Sequence, residues 1–145
     1  MRIAIGTDHA GYELKQVLAE HLRSQGHEVI DHGTHRPESV DYPDFILPAA
    51  EAVARGESDL AIVLGGSGNG EAIAANKVVG IRCAVCWNEE TGQLARQHNN
   101  ANMLSIGARV VGVEIALEVV TAFLSAEFEG GRHATRVDMI TAIEG

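Results

Sequence analysis

A glycine-rich segment between an apolar run and an apolar helix is the feature that most constrains this sequence. The run LAIVL occupies residues 60–64, GGSGNGE follows at residues 65–71, and AIAANK at residues 72–77 predicts a helix. Four glycines within residues 65–70 would weaken either element, because glycine loses the most backbone entropy on ordering. They predict a loop whose backbone N–H groups can face an anion at a helix N-terminus. Glu71 ends the loop, where a simple phosphate site would have a cation.

Short apolar runs alternate with helical patterns along the whole chain. Strands are predicted at residues 2–6, 27–31, 59–64, 81–87 and 103–107, and helices at residues 12–24, 45–55, 72–77, 89–97 and 113–123. Residues 132–143 again have helical spacing. This alternation is typical of a parallel sheet that is covered on both faces. We therefore predict an α/β fold with a doubly wound five-stranded parallel sheet and a C-terminal helical tail, in a single domain of residues 1–145.

Polar side chains follow several of the predicted strands. A doubly wound sheet binds ligands beyond the carboxyl ends of its strands, where the strand order switches. Asp8 and His9 follow the first strand, the glycine loop follows the third, and Arg109 follows the fifth. We expect His98 and Asn99, at the end of a predicted helix, to lie at or near the same edge. The sequence thus predicts one site there.

The composition argues against several classes of function. A net charge of −9 argues against general nucleic-acid binding, which needs a basic face. Neither a signal peptide nor a membrane-spanning run is found, so we expect a cytoplasmic protein with no membrane partner. Cys83 and Cys86 lie three apart in a predicted buried strand and should point to opposite faces, as core residues rather than a redox pair. His32 and His35 lack further residues at metal-ligand spacing, so no metal is expected.

The glycine loop differs from three known motifs by one residue each. A P-loop has Lys where Glu71 stands, and a dinucleotide fingerprint would have its third glycine at the same position. A serine nucleophile elbow needs glycine where Asn69 stands. The loop therefore shares the strand–loop–helix geometry of these motifs but not their chemistry.

A carboxylate beside backbone N–H groups suits proton abstraction next to a carbonyl group. The base removes a C–H proton, and the N–H groups hold the oxyanion that forms. Glu71 fits this role, and it also fits an ordinary acid in the first turn of a helix, where the helix dipole favours it. From the residues alone, both interpretations stay open.

Other residues are candidates for binding an anion. Arg132 and Arg136 lie four apart on one face of a predicted helix and could clamp a phosphate group, or they could form a solvated basic turn. His9 follows Asp8, so an Asp-oriented imidazole competes with a partly buried structural histidine. His98 is either functional or a histidine that pairs with a helix C-terminus.

Several segments together resemble the type B ribose-5-phosphate isomerases, within the ribose/galactose sugar-phosphate isomerase family. They are GTDHAG at residues 6–11, DYP at 41–43, GGSGNGEAIAANK at 65–77, RQHNNAN at 96–102, GAR at 107–109 and GRHATR at 131–136. The resemblance spans nearly the whole chain and implies a Rossmann-like fold. It also implies a homodimer or a dimer of dimers with shared active sites. The implied activity is interconversion of ribose 5-phosphate and ribulose 5-phosphate through a cis-enediolate, in the pentose phosphate pathway, without a metal or other cofactor.

The resemblance implies a role for each matching residue. In one branch of the family a Cys at the position of Gly65 is the base, and this chain is similar to the other branch, in which Glu71 moves the proton between C2 and C1. Ser67 would bond the reacting oxygens, while Asp8 and His98 would open the sugar ring. The expected substrate-binding residues are His9, Tyr42, Gly66, Gly68, Asn69, Gly70, Asn99, Arg109, Arg132, His133 and Arg136. Among them, Arg132, His133, Arg136 and Tyr42 would reach the neighbouring subunit's site, with a tail of about residues 130–145 packed on that subunit.

Two alternatives compete with this interpretation. An isomerase of the same fold could act on another phosphorylated sugar, such as allose 6-phosphate, galactose 6-phosphate or a tetrose phosphate, and the length of the pocket would decide between them. A non-catalytic phosphometabolite-binding module would use Glu71 only as a helix residue. A Glu71→Gln variant separates catalysis from binding alone.

Overall fold

The computed structural model describes residues 1–145 and contains one five-stranded sheet between two layers of helices. The strands are β1 (Arg2–Thr7), β2 (Glu28–Asp31), β3 (Leu60–Gly65), β4 (Cys83–Val85) and β5 (Met103–Gly107). The helices are α1 (Tyr12–Ser24), α2 (Pro43–Ala54), α3 (Asn69–Ala75), α4 (Glu89–Asn99), α5 (Val113–Ser125) and α6 (Arg132–Ala142), with a 3-10 turn at His9–Gly11. The strand order is β2-β1-β3-β5-β4 and every pair is parallel. The predicted α/β fold is confirmed.

The core consists of two apolar clusters, one on each face of the sheet. On one face, α1, α4 and α5 bury residues such as Leu18 and Phe123 against the strands. On the other face, α2 and α3 pack through Ile46 and small residues such as Ala49 and Ala75. Each fully buried Leu, Ile or Phe side chain contributes about 1.5–3 kcal/mol. Aliphatic and alanine packing therefore holds both helical layers on the sheet, in a chain with few aromatic residues.

The strand order switches between β1 and β3. The chain passes from β1 to β2 on one side of β1 and then crosses, through α2, to β3 on the other side. Thr7 aligns with Leu64 across the β1–β3 pair, and the buried Thr7 hydroxyl donates to the Leu64 carbonyl at 3.1 Å. The segment after β1 and the glycine loop after β3 therefore start side by side at the carboxyl edge.

The fourth strand differs from its prediction. It comprises only Cys83–Val85, lies at the edge of the sheet with β5 as its single neighbour, and is half-buried. Trp87, predicted inside the strand, is 54% exposed. The two cysteines do pack on opposite faces, with Cys86 in the α1–α4–α5 cluster and Cys83 against the other one. Burial raises the pKa of both thiols, for Cys86 to about 11, as suits core residues.

One helix differs from its predicted extent, and the C-terminal tail is helical as predicted. Helix α3 begins at Asn69 rather than residue 72, so the last part of the glycine loop forms its first turn. Helix α6 forms this tail and folds back on its own chain, where it contacts α4. Just after α6, the Glu144 carboxylate accepts a hydrogen bond from the Gly80 N–H at 3.0 Å. The packing of this tail on a partner subunit stays a prediction. None of the helices is both long and apolar enough to cross a membrane.

A buried ion pair holds the loop that follows β2. The Lys15 ammonium is fully buried and donates to both carboxylate oxygens of Asp31, at 2.7 and 2.8 Å, and to the Thr34 carbonyl at 2.7 Å. The Asp31 carboxylate also accepts from the Gly33 N–H at 2.8 Å. Since a buried ammonium needs all of its donors satisfied, Lys15 fixes the start of a loop that runs on to the site.

Candidate active site

Three strand ends meet around the glycine loop. The Ala108 N–H, just after β5, donates to the Gly65 carbonyl at 2.8 Å, and the Arg109 N–H donates to the Gly66 carbonyl at 3.0 Å. A Cβ at Gly66 would lie 3.4 Å from Nη1 of Arg109 and 3.9 Å from the Cβ of Ala10. The Arg109 guanidinium and the turn after β1 therefore flank the loop on both sides, as predicted for this edge.

Glu71 occupies the centre of this arrangement. It lies in the first turn of α3 and is only 4% exposed. Burial raises the pKa of its carboxyl group, and the negative charge of Asp8 raises it further, whereas hydrogen bonds from the N–H groups of Glu71 and Gly68 act in the opposite direction. A carboxyl group with a raised pKa is a stronger base once it is ionised, which suits proton abstraction.

Backbone geometry shapes the rest of the loop. Gly68 has φ +84°, which only glycine adopts without strain, and its carbonyl accepts from the buried Ser105 hydroxyl at 2.7 Å. The exposed Ser67 hydroxyl accepts from the Asn69 N–H at 3.2 Å, so it stands at the mouth of the loop. These bonds fix the shape of the loop where it enters α3.

Tyr42 covers the glycine loop of its own chain. A Cβ at Gly70 would lie 2.6 Å from the Tyr42 hydroxyl and 2.7 Å from Cζ of the ring, so the phenol rests on Gly70. The expectation that Tyr42 also reaches the neighbouring subunit's site stays a prediction. Because Tyr42 immediately precedes α2, which packs beside α3, its side chain lines the site from within the same chain.

The turn after β1 presents Asp8 and His9. Asp8 is 8% exposed and its carboxylate accepts from the Ala10 N–H at 2.9 Å, which caps the 3-10 turn. Nδ1 of His9 accepts from the Val40 N–H at 3.2 Å. Since a backbone N–H can only donate, Nδ1 of His9 carries no proton, and Nε2–H is left as a donor for an anion.

A second cluster forms where α4 and α6 meet. The rings of His98 and His133 stack with their centroids 4.1 Å apart and a 9° angle between their planes. Nε2 of each ring lies close to Oε1 of Glu129, at 3.7 Å from His98 and 3.6 Å from His133. Burial lowers the pKa of His133, and the positive charges of His98 and Arg132 lower it further. The exposed Arg132 and Arg136 extend this cluster along α6.

His98 and Asn99 do not lie beside the glycine loop in this chain, and that expectation is wrong. They end α4, and the chain then enters the amino end of β5. Arg82, just before β4, donates to the Asn99 carbonyl at 3.1 Å. Because the strands are parallel and α4 runs against them, its end returns to the amino edge, opposite the edge that carries Glu71.

Comparison with known proteins identifies the family. The sequence model described as Ribose/Galactose Isomerase matches residues 3–140. Ribose-5-phosphate isomerase B of Escherichia coli (strain K12) is 51% identical over 143 residues, covering 99% of this chain and 96% of that protein. The chain belongs to the ribose/galactose isomerase family.

Solved structures of similar proteins agree with this assignment. A ribose-5-phosphate isomerase B of Clostridium thermocellum is 58% identical, with a TM-score of 0.98 and coverage of 99% of this chain and 97% of that one. A Mycoplasma genitalium ribose-5-phosphate isomerase B with bound ribulose-5-phosphate is 41% identical, with a TM-score of 0.95 and coverage of 99% and 95%. The Rossmann-like fold implied by the resemblance is confirmed.

In this member of the ribose/galactose isomerase family, the present conformation of Glu71 leaves room at position 65 for glycine alone. A Cβ on Gly65 would collide with Oε1 and Cδ of Glu71, because the carboxyl group lies directly against the Gly65 backbone. A cysteine at this position and the present conformation of Glu71 therefore exclude each other. The geometry agrees with a chain that carries its candidate base at position 71 rather than 65.

Sequence reasoning missed several residues that shape the two clusters. Ser105 is a polar residue inside the apolar run of β5, a pattern that could have marked it as a buried hydrogen-bond donor. Glu129 stands four residues before His133, a spacing that could have linked them. Nothing local in the sequence marks Val40 as the donor to His9, because that contact spans 31 residues.

Proposed function

We propose that this protein interconverts D-ribose 5-phosphate and D-ribulose 5-phosphate, as an aldose–ketose isomerase. The observation that carries the proposal is the buried carboxyl group of Glu71, with its raised pKa, at the end of the glycine loop. Support also comes from full-length relatives named ribose-5-phosphate isomerase B and from the ribulose-5-phosphate bound to the Mycoplasma genitalium protein.

In the proposed mechanism, Glu71 is the base and then the acid. Its carboxylate takes the proton from C2 of the open-chain aldose, and the C–H electron pair forms the C1–C2 double bond of a cis-enediolate. Protonated Glu71 then returns the proton to C1 while the hydroxyl proton on O2 passes to O1, which leaves a hydroxyl group on C1 and the ketone at C2. The oxyanion is assigned to the N–H groups of residues 68–71 and to the Ser67 hydroxyl, and the N–H groups of Gly68, Asn69 and Glu71 would turn to it from their present acceptors, the Glu71 carboxyl group and the Ser67 hydroxyl. The raised pKa supports this role, since general bases work best with a pKa near the working pH.

We assign the phosphate group to donors on either side of the loop. His9 offers its Nε2–H, and the guanidinium of Arg109 lies beside Gly66. The remaining cations, Arg132 and Arg136, form a fork on α6 that suits bidentate phosphate binding. In this proposal Tyr42 of the same chain lines the pocket, and Asn99 joins it from a partner chain, as do the two arginines of α6.

We propose that a partner chain completes each site. Within one chain, His98, His133 and the two arginines of α6 lie apart from Glu71, at the opposite edge of the sheet. A homodimer, or a dimer of dimers, would bring the His98 cluster of one chain to the glycine loop of its partner. His98 of the partner would then open the sugar ring together with Asp8. The exposed apolar side chains of Met139, Ile140 and Ile143 on the tail support an interface there.

The cellular setting follows from this proposed reaction. We place the enzyme in the pentose phosphate pathway and in the cytoplasm. The buried free thiols Cys83 and Cys86, which lie on opposite faces of the sheet, suit a reducing compartment. The family includes galactose in its description, so a panel of phosphorylated tetroses, pentoses and hexoses tests the choice of substrate.

A Glu71→Gln variant tests the catalytic base. The substitution keeps the size of the side chain and removes the proton acceptor, so we expect kcat for ribose 5-phosphate to fall by about 10²–10⁴-fold with little change in substrate binding. Glu114→Gln is the matched control, because Glu114 is an exposed acid in the first turn of α5. Unchanged turnover in Glu71→Gln would falsify the mechanism.

A mixed dimer tests the shared site. Chains carrying Glu71→Gln or Arg136→Ala should each be inactive alone. If the sites are shared, a heterodimer has one site with both intact residues, and an equal mixture regains about a quarter of the wild-type activity. If each chain holds a whole site, mixing restores nothing.

A further inference from the structure

We propose that His98, Glu129 and His133 form a binding site for a divalent transition-metal ion such as Zn²⁺, and that the occupied site inhibits the enzyme. Three different segments supply the donors: the end of α4, the chain after α5, and the first turn of α6. Binding itself is independent of the proposed activity, whereas inhibition rests on it.

The donor atoms are already close enough to share one ion. One ligand atom from each of the three residues lies within 4.8 Å of the others. The Nε2 atoms of His98 and His133 are 3.7 and 3.6 Å from Oε1 of Glu129. Zinc binds imidazole nitrogen and carboxylate oxygen at about 2.0–2.2 Å, so donors in a tetrahedral site lie about 3.3–3.6 Å apart. Only small shifts separate these two distances from those of a metal site.

The chemistry of the three side chains suits a borderline ion. Two imidazoles and one carboxylate are the protein ligands of many zinc sites that keep a fourth position for water. The His98 side chain is 38% exposed and that of Glu129 is 50% exposed, so within one chain the fourth position is left open. His133, only 11% exposed, anchors the site against α4.

Two features limit the affinity of this site. The imidazole rings are nearly parallel, at 9°, so they must rotate apart before both Nε2 lone pairs point at one ion. Arg132 and Arg136 lie on the same helix as His133 and repel a cation, against the single negative charge of Glu129. Both features favour a reversible, regulatory site over a permanently occupied structural one.

An ion in this position would interfere with the proposed catalysis. Metal bound to Nε2 of His98 occupies the atom that would exchange a proton during ring opening. It would also hold His133 and the start of α6 in place, next to the arginines assigned to phosphate. We therefore expect Zn²⁺ to inhibit the isomerase reversibly, with activity restored by a chelator.

Metal titration of the full-length protein tests the site directly. Zn²⁺ binding is measured by calorimetry on chelator-treated protein, and Co²⁺ serves as a spectroscopic probe of coordination. We expect one ion per chain and the absorption of Co²⁺ in a site of four or five ligands. Glu129→Gln should weaken binding at least about tenfold, and His133→Gln by a similar factor, since each removes a ligand. Glu127→Gln is the matched control, an exposed acid two residues away, and should bind like wild type.

The activity of the same proteins tests inhibition. Half inhibition of Glu129→Gln, measured against its own metal-free rate, should need at least about tenfold more Zn²⁺ than half inhibition of wild type. Glu127→Gln should match wild type in its metal-free rate and in its inhibition by Zn²⁺. If wild type does not bind one Zn²⁺ ion per chain, or if Glu129→Gln binds Zn²⁺ as tightly as wild type does, the proposed site is overturned. Tight binding without loss of activity overturns the inhibitory role. If the metal-free wild-type protein does not isomerise ribose 5-phosphate, the proposed function is contradicted. The titration with Zn²⁺ then still decides whether the metal site exists.

Discussion

Replacing Gly65 by alanine should displace the Glu71 carboxyl group, and so impair the proposed base without changing its chemistry. In Gly65→Ala, the new Cβ would overlap Oε1 and Cδ of Glu71, and even Oε2 would be only 2.6 Å away. Non-bonded contacts to carbon need about 3.5–4.0 Å, so the carboxyl group must move by about 1 Å or more. The alanine itself is compatible with the strand, because Gly65 ends β3 without a positive φ.

The size of the effect follows from this displacement. Misplacing a catalytic group by about 1 Å costs about 10²-fold in rate, which corresponds to about 2.7 kcal/mol of transition-state stabilisation. We expect kcat for ribose 5-phosphate to fall by about this factor, while KM changes little, because His9 and Arg109 are left in place. Initial rates of ribulose 5-phosphate formation measure both parameters.

Gly112→Ala is the matched control for this experiment. Gly112 precedes α5 with φ −80°, and a Cβ there would meet no atom within 4 Å. Circular dichroism and thermal unfolding show whether each variant keeps its fold. If folded Gly65→Ala has the kcat of wild type, the position of the Glu71 carboxyl group does not matter for catalysis, and the reasoning from its geometry is refuted.

Three further predictions concern buried charge. Because the pKa of Glu71 is raised, the acid limb of the kcat/KM profile should lie above pH 4.5, the ordinary value for Glu. For the same reason Glu71→Gln should increase the free energy of unfolding at neutral pH. Urea titrations should show this gain shrinking as the pH falls through the raised pKa of Glu71 and absent below pH 4.5, where Glu71 is protonated in the folded and the unfolded chain. Asp31→Asn would leave the fully buried Lys15 without its counter-ion, so we expect the free energy of unfolding to fall by about 3 kcal/mol. Asp59→Asn, which breaks the exposed pair with Arg2, should change it little, and equal losses in the two variants would contradict this account.

The fold was largely predictable because its signals are local. Apolar runs of strand length, helical spacing and the glycines between them mark most elements within a few residues. The fourth strand is the exception. Its apolar run from Ile81 to Trp87 suggests a buried strand, but an edge position depends on which strands lie beside it, and no local pattern encodes that order.

The candidate site was predictable in part. Asp8, the glycine loop and Arg109 follow strands, and parallel strands bring their carboxyl ends to one edge. His98 and Asn99 end a helix instead, and the direction of that helix carries them to the opposite edge. The stack between His98 and His133 joins residues 35 positions apart, so only the packing of α6 on α4 reveals it.

The sequence by itself determined the type of loop, the acid at its end and the family to which the chain is similar, because glycine spacing and residue chemistry are local properties. The tertiary structure decided the pKa and the position of this acid. Burial and the charge of Asp8 raise the pKa of Glu71, and the bare backbone of Gly65 makes room for its carboxyl group. It also decided that the histidines and arginines of α4 and α6 stand apart from that acid within one chain. These properties depend on distances between segments far apart in sequence, which packing alone sets.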